Sequence, residues 1–247
     1  MITIEWSVFM EENIYDWLKN ILESEYVFIK NLKRTEDVLI NVLENKITHK
    51  RVVVKYLKGS LDVYKKLISI SHPNLPVIYE VAQSEDKSIL VEEYINGMTI
   101  GEFMEAERYT PKEVKKIILE LCSALKLIHS QGIIHRDIKP ENIIVNKFGN
   151  VKLIDFDISR INKENNSKDT VVLGTTGFAA PEQYGISETD ARSDIYSIGI
   201  LINVMLTGEH PSKKICDGKW QKIVKKCTMI NPEDRYNTVD DLIKSIR

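Results

Sequence analysis

The feature that most constrains this chain is a polar cluster set between two apolar runs. His135, Arg136, Asp137, Lys139 and Asn142 spell H-R-D-x-K-x-x-N, with Ile133 and Ile134 before them and Ile143, Ile144 and Val145 after. The flanking runs read as short buried strands, so the polar residues occupy a loop held at both ends. Such a loop can aim a carboxylate, an ammonium and a metal-seeking amide at one point. Further on, Val151, Leu153 and Ile154 run into Asp155 and Phe156, a second apolar strand ending in an acid. Two loops that each present an acid suit phosphoryl transfer, where one acid orients a hydroxyl and the other holds magnesium.

Bulk properties set the outer bounds. A chain of 247 residues can bury a sizeable core as one large domain or two small ones. With 43% hydrophobic and 28% charged residues it has the composition of an ordinary soluble globular protein. A net charge of −2 supplies no whole-molecule attraction to nucleic acid or to an anionic membrane. Cys122, Cys216 and Cys227 are odd in number and lack C-x-x-C spacing, which reads as buried free thiols in a reducing compartment. No apolar run reaches the ~18 residues of a membrane span, and Glu5, Glu11 and Glu12 argue against a signal peptide. A cytoplasmic location is expected.

In chain order, Ile2, Ile4, Trp6 and Val8 alternate with mostly polar residues and predict a short strand. Asn13 then reads as an N-cap for a helix whose stripe is Ile14, Trp17, Leu18, Ile21 and Leu22. That helix is expected to pack on the adjacent domain, with a dimer or regulatory contact as the other use of its face. Residues 26–29, 38–43 and 51–56 read as strands rich in β-branched residues, Asp62–Ile70 as a helix, and 77–81 and 88–92 as two further strands. Past Gly97 the period changes to 3.6. Glu113–Ser130 is a long helix with Val114, Ile117, Ile118, Leu121, Leu125 and Ile128 on one face. Residues 158–176, with little pattern, read as a mobile segment.

These ordered motifs resemble a eukaryotic-type protein kinase, most nearly the bacterial serine/threonine branch, from about Tyr26 to Arg247. The resemblance implies an α+β bilobal kinase-like fold: residues 1–25 as an extension, 26–96 as an N-lobe with a small antiparallel sheet and a C helix, and 97–247 as a mainly helical C-lobe. Val52, Val53, Val54 and Lys55 resemble V-A-I-K, which makes Lys55 the partner of the α- and β-phosphates of ATP. Glu93 and Ile95 would offer hinge backbone to adenine, and Ile40, Val53 and Ile144 would sandwich its ring. Asp137 would orient the substrate hydroxyl, Lys139 would neutralise the transferring phosphate, and Asn142 with Asp155 would hold Mg²⁺ or Mn²⁺. Thr175 falls at the threonine that bridges Asp137 and Lys139. Glu182, in the A-P-E stretch, would pair with Arg235, and Asp194 would anchor the catalytic loop. Arg136 would clamp a phosphorylated activation segment, for which Ser167, Thr170 and Thr176 are the candidates.

The chain departs from this family pattern in four places. The loop glycines fall at Lys33, Thr35 and Val38, which implies a stiffer or more distant phosphate lid, with Lys33 and Arg34 as compensating charges. Counted from His72 in Ser71-His72-Pro73-Asn74, the helix glutamate that pairs with the strand lysine falls at Val63, with Asp62 next to it. Asp157 stands where D-F-G has glycine. Glu92 falls at the gatekeeper position, an unusual charge able to meet Lys55. The resemblance implies a serine/threonine protein kinase using ATP, acting on protein substrates including its own segment, in a homodimer for trans-phosphorylation. The departures keep a second reading open, a pseudokinase that binds ATP or scaffolds partners. A small-molecule phosphotransferase of the aminoglycoside type would lack Lys139, the A-P-E stretch and the Asp194 and Arg235 anchors.

Overall fold

The computed structural model describes residues 2–58, 61–85, 87–161, 175, 177–184 and 188–247, those up to 13 by backbone alone. The chain divides into two compact units, Met1–Ser71 with Pro76–Ile95, and His72–Leu75 with Asn96–Arg247. Together they have the expected α+β class, a five-stranded antiparallel sheet followed by a helical region.

In the first unit, helix α1 (Ile2–Glu25) leads directly into β1 (Tyr26–Arg34). The strand expected over Ile2–Val8 is instead the first two turns of α1. A strand needs a neighbour to satisfy its ladder, whereas each residue added to an existing helix gains its own hydrogen bond. Strands β2 (Val38–Asn45), β3 (Arg51–Lys58), β4 (Ile78–Ser84) and β5 (Lys87–Glu93) complete a sheet of order β1-β2-β3-β5-β4. Pleating sends alternate residues to opposite faces. One face carries Leu43, Val52, Val54, Ala82, Ile89 and Val91, against which Leu18 and Leu22 of α1 pack. Burying each of those two leucines contributes about 1.5–3 kcal/mol. The stripe is narrower than expected, because Ile14 and Trp17 stay exposed, Trp17 at 55%. The other face carries Ile40, Val42, Val53, Lys55, Leu90 and Glu92. Helix α2 (Asp62–Leu67) is shorter than expected, its end tightened by the Ile70 N–H donating to the Leu67 carbonyl.

The β1–β2 turn closes without left-handed backbone. No residue from 33 to 38 has positive φ. The Thr35 N–H donates to the Val38 carbonyl and the Thr35 hydroxyl accepts from the Val38 N–H, a side-chain mimic of a backbone turn.

The second unit begins with the His72–Leu75 turn. The Asn74 amide donates to Glu120 and to the Val151 carbonyl, and His72 meets the Ser123 hydroxyl. Strand β6 (Gly97–Thr99) precedes α3 (Ile100–Ala106) and α4 (Pro111–Ser130). Capping boxes start both helices, Thr99 with Glu102 and Thr110 with Glu113, each satisfying two otherwise orphaned N–H groups. All six residues expected on the buried face of α4 are buried. Strands β7 (Ile133–Ile134), β8 (Ile143–Asn146), β9 (Val151–Leu153) and β10 (Arg160–Ile161) form two small sheets, β6-β8-β9 and β7-β10. Helices α5 (Ala191–Thr207), α6 (Gly218–Cys227) and α7 (Val239–Ile246) follow. A Cβ on Gly199 would lie 2.5 Å from that of Cys227, so α5 and α6 approach more closely there than any larger residue permits. All three cysteines are free and buried, and burial pushes the Cys122 thiol up to about 12. No helix among the described residues is long and apolar enough to cross a membrane.

Candidate active site

The loop between β7 and β8 is held by a buried acid on another helix. Asp194, in the first turn of α5 and fully buried, accepts from the backbone N–H of His135 through Oδ2 at 2.9 Å and from that of Arg136 through Oδ1 at 2.8 Å. His129, in the last turn of α4, meets the same Oδ2 at 2.7 Å. Burial alone would raise the Asp194 pKa. The His129 contact, nearby imidazole charge and the donated N–H groups outweigh it, and the carboxyl sits below its usual range. This grip supports left-handed backbone at Arg136, φ 70°, a conformation that costs a non-glycine residue on the order of 1–2 kcal/mol.

His135 is a supporting group and not a base. Its Nδ1 faces the Asp137 N–H at 3.3 Å and its Nε2 the Ile154 carbonyl at 3.2 Å, which suits the neutral Nε2–H tautomer. Burial lowers its pKa against the pull of Asp194, Asp155 and Asp137. The ring stands edge-on to buried Phe156, with centroids 4.7 Å apart. That contact fixes the loop after β9, where Asp155 has φ 68°. The left-handed residue is therefore Asp155 itself.

Three side chains then converge on one carboxylate. Asp137 Oδ1 accepts from the Thr175 hydroxyl at 2.7 Å. Oδ2 lies 2.7 Å from Lys139 Nζ and 2.8 Å from Asn142 Nδ2. Lys139 also donates to the Thr175 hydroxyl at 2.7 Å, closing a triangle. Asn142 spends its amide nitrogen on the Asp137 side chain and carbonyl, so its remaining side-chain donor to a cation is Oδ1. That oxygen and the Asp155 carboxylate are hard donors of the kind magnesium takes, alongside oxygens from its substrate. Among the described residues no cluster of three or more His, Cys, Asp or Glu side chains could hold a metal ion.

A second buried ion pair braces the segment after Thr175. Arg235 donates to both oxygens of Glu182, at 2.7 and 2.9 Å, and to the carbonyls of Met229, Ile230 and Arg192. Its guanidinium lies 4.9 Å from the Tyr196 ring centroid. Gln183, fully buried, ties this segment to the catalytic loop by donating to the Arg136 carbonyl at 2.8 Å. Sequence reading missed Gln183 and His129, since a lone glutamine or histidine carries no spacing signal. Ser167, Thr170 and Thr176, and with them most of the segment expected to be mobile, lie outside the described residues.

In the first unit, Lys55 is 3% exposed, with Nζ 3.7 Å from Glu92 Oε1 and 3.2 Å from the Tyr64 hydroxyl. Ile40, Val53 and Glu92 share its face of the sheet. Glu93 donates its backbone N–H to the Val77 carbonyl and accepts the Val77 N–H on its side chain. Ile144, in the second unit, pairs with Thr99 and Lys152 across β8.

Residues 27–246 match the model of the protein kinase domain, and the chain belongs to that family. It is 33% identical over 196 residues to serine/threonine-protein kinase PknB of Mycobacterium tuberculosis, covering 76% of this chain and 31% of that protein. It is 32% identical over 208 residues to serine/threonine-protein kinase PrkC of Bacillus subtilis, covering 72% and 32%. With PknB of Mycolicibacterium smegmatis the identity is 29% over 250 residues, covering 89% and 40%. The chain thus spans about a third of the length of the curated relatives it matches.

Proposed function

We propose that this chain is a serine/threonine protein kinase domain that transfers the γ-phosphate of ATP to protein hydroxyls. The observation that carries this reading is the convergence of Thr175, Lys139 and Asn142 on Asp137. Asp137 accepts the proton of the attacking hydroxyl, and its three donors hold the carboxylate in place. Lys139 neutralises charge on the transferring phosphoryl group, and Thr175 holds these two charges together. Little covalent chemistry is asked of the protein in such a transfer, so positioning and charge account for most of the rate. Asn142 and Asp155 would hold Mg²⁺ or Mn²⁺, which when bound neutralises the nucleotide phosphates. Lys55 grips the α- and β-phosphates, Glu93 and Ile95 supply adenine contacts, and Ile40, Val53 and Ile144 supply apolar ring contacts.

Arg136 is suited to clamp a phosphate on the segment that carries Ser167, Thr170 and Thr176, made in trans within a homodimer. A cytoplasmic location for the domain agrees with its three free, buried thiols. The pseudokinase reading loses its strongest support, because Lys55 does face a carboxylate. Incubation with radiolabelled ATP, magnesium and a generic basic protein tests the function. Transfer that is lost in Asp137→Asn supports it, as does phosphate found by mass spectrometry on Ser167 or Thr170. A folded protein that binds nucleotide and transfers nothing would return the pseudokinase reading.

A further inference from the structure

The Glu92 carboxylate that faces Lys55 comes from the sheet. Lys55 is opposite Leu90 in the β3–β5 ladder and Val53 is opposite Glu92. Glu92 is therefore the diagonal neighbour of Lys55 on the same face, a separation that long side chains span. Both residues are buried, Lys55 at 3% and Glu92 at 5% exposure, with 3.7 Å between Nζ and Oε1. The helix position expected to supply the acid holds Val63, and α2 instead brings the Tyr64 hydroxyl to Nζ at 3.2 Å. A hydroxyl can accept a hydrogen bond from an ammonium but cannot neutralise it. Where the carboxylate rides on the helix, moving the helix breaks the pair and disables the lysine. Here the two charges stand on adjacent strands joined by ladder bonds, and α2 has only six residues.

We propose that Glu92 takes over the positioning role of the absent helix glutamate, so that the sheet, and not the position of α2, sets Lys55 for nucleotide phosphate. This rests on the reading of Lys55 as the phosphate-binding lysine. Glu92 acts through Lys55 and is a positioning residue. The arrangement makes the nucleotide grip insensitive to partners or modifications that act by displacing α2, and leaves regulation to the segment beyond Asp155.

Binding of Mg²⁺ and mant-ATP, followed by fluorescence on the whole chain, tests this together with KM for ATP, kcat and melting temperature. Glu92→Gln keeps the shape and removes the charge, and is expected to weaken mant-ATP about tenfold and to raise KM more than it lowers kcat. Tyr64→Phe is expected to cost about threefold. Lys66→Gly weakens α2 at an exposed position and is expected to change affinity by less than about twofold. Adding Tyr64→Glu to Glu92→Gln moves the acid to the helix, and is expected to restore affinity while making it sensitive to Lys66→Gly. Wild-type affinity in Glu92→Gln would overturn the proposal, as would a loss in Lys66→Gly equal to that in Glu92→Gln. Should Glu92→Gln fail to fold, Glu92→Asp keeps the charge at shorter reach. Several-fold weaker binding then supports the proposal and unchanged binding sinks it. Lys55→Met separates the two levels: if it leaves mant-ATP binding intact, the phosphate role of Lys55 is itself wrong, whatever Glu92 does.

Discussion

The two units secure their functional charges by different means. In the second, Asp137 is fixed by Thr175, Lys139 and Asn142, and its loop is pinned through two backbone N–H groups by Asp194. In the first, Lys55 meets the Glu92 carboxylate across a strand pair and a tyrosine hydroxyl. The Asp137 loop keeps the H-R-D-x-K-x-x-N pattern, whereas the Lys55 site has Val63 where the family has its helix acid and meets Glu92 from the sheet. A group held by several partners cannot be replaced without re-satisfying all of them, and buried polar groups left unpaired are costly. A lysine that needs one opposite charge nearby accepts it from any element within reach.

The sharpest way to break this contrast is at Asp137. Asp137→Asn is expected to lower turnover by roughly 10²–10⁴-fold, with nucleotide affinity nearly unchanged, because the lost group acts on the hydroxyl proton. Single-turnover transfer and mant-ATP titration read the two quantities separately, and near wild-type turnover would remove the role assigned here.

Next in size is the buried pair of the second unit. Glu182→Ala leaves Arg235 uncompensated among carbonyls and is expected to destabilise the chain by about 3–5 kcal/mol. Urea unfolding checks it; a loss below about 1 kcal/mol would place the pair among the weak, solvent-screened ones.

The corresponding test in the first unit is a double-mutant cycle. Lys55→Met and Glu92→Leu are each expected to destabilise, and the double variant to be more stable than their sum by about 0.5–3 kcal/mol, since each single change removes an opposite charge from a buried ion pair. Strict additivity in urea would mean the two side chains are energetically independent. Thr175→Ala is expected to lower turnover by about tenfold and Thr175→Ser to keep most of it, because one hydroxyl hydrogen bond to a charged group is at stake. Equal losses in the two variants would shift the role from the hydroxyl to the methyl group.

The smallest effect expected is that of acid on stability. Burial lowers the His135 pKa, and burial with the charge of Lys152 lowers that of His72. Both rings are neutral in either state above the ordinary imidazole value of ~6.5. As the pH falls below that value the unfolded chain takes up protons first, so stability is complete above it and declines toward pH 5. Asp194, held below the carboxylate range, contributes fully above the ordinary aspartate value of ~3.9 and is lost only in stronger acid. Melting temperatures between pH 7 and 5 should fall less steeply in His135→Phe. Identical slopes would show that the ring does not titrate in this way.

The legible part of this protein is its local periodicity and its ordered motifs. β-Branched runs identified the first three sheet strands, and the 3.6 period over Glu113–Ser130 identified α4, because these signals depend on neighbours along the chain. The spacing of H-R-D-x-K-x-x-N brought Asp137, Lys139 and Asn142 together for the same reason: they share one short loop, whose reach is set by a few residues. Thr175, Glu182, Asp194 and Arg235 were found through the family resemblance, since nothing local ties residues so far apart.

Two outcomes were left to tertiary structure. Residues 2–8 alternate like a strand yet form helix, because among the described residues no strand lies beside them to complete a ladder. Lys55 meets Glu92, 37 positions away, because the β3–β5 register sets them diagonally on one face. A linear sequence states which charges exist, but strand register decides which of them meet, since shifting it by one residue would turn Glu92 to the opposite face.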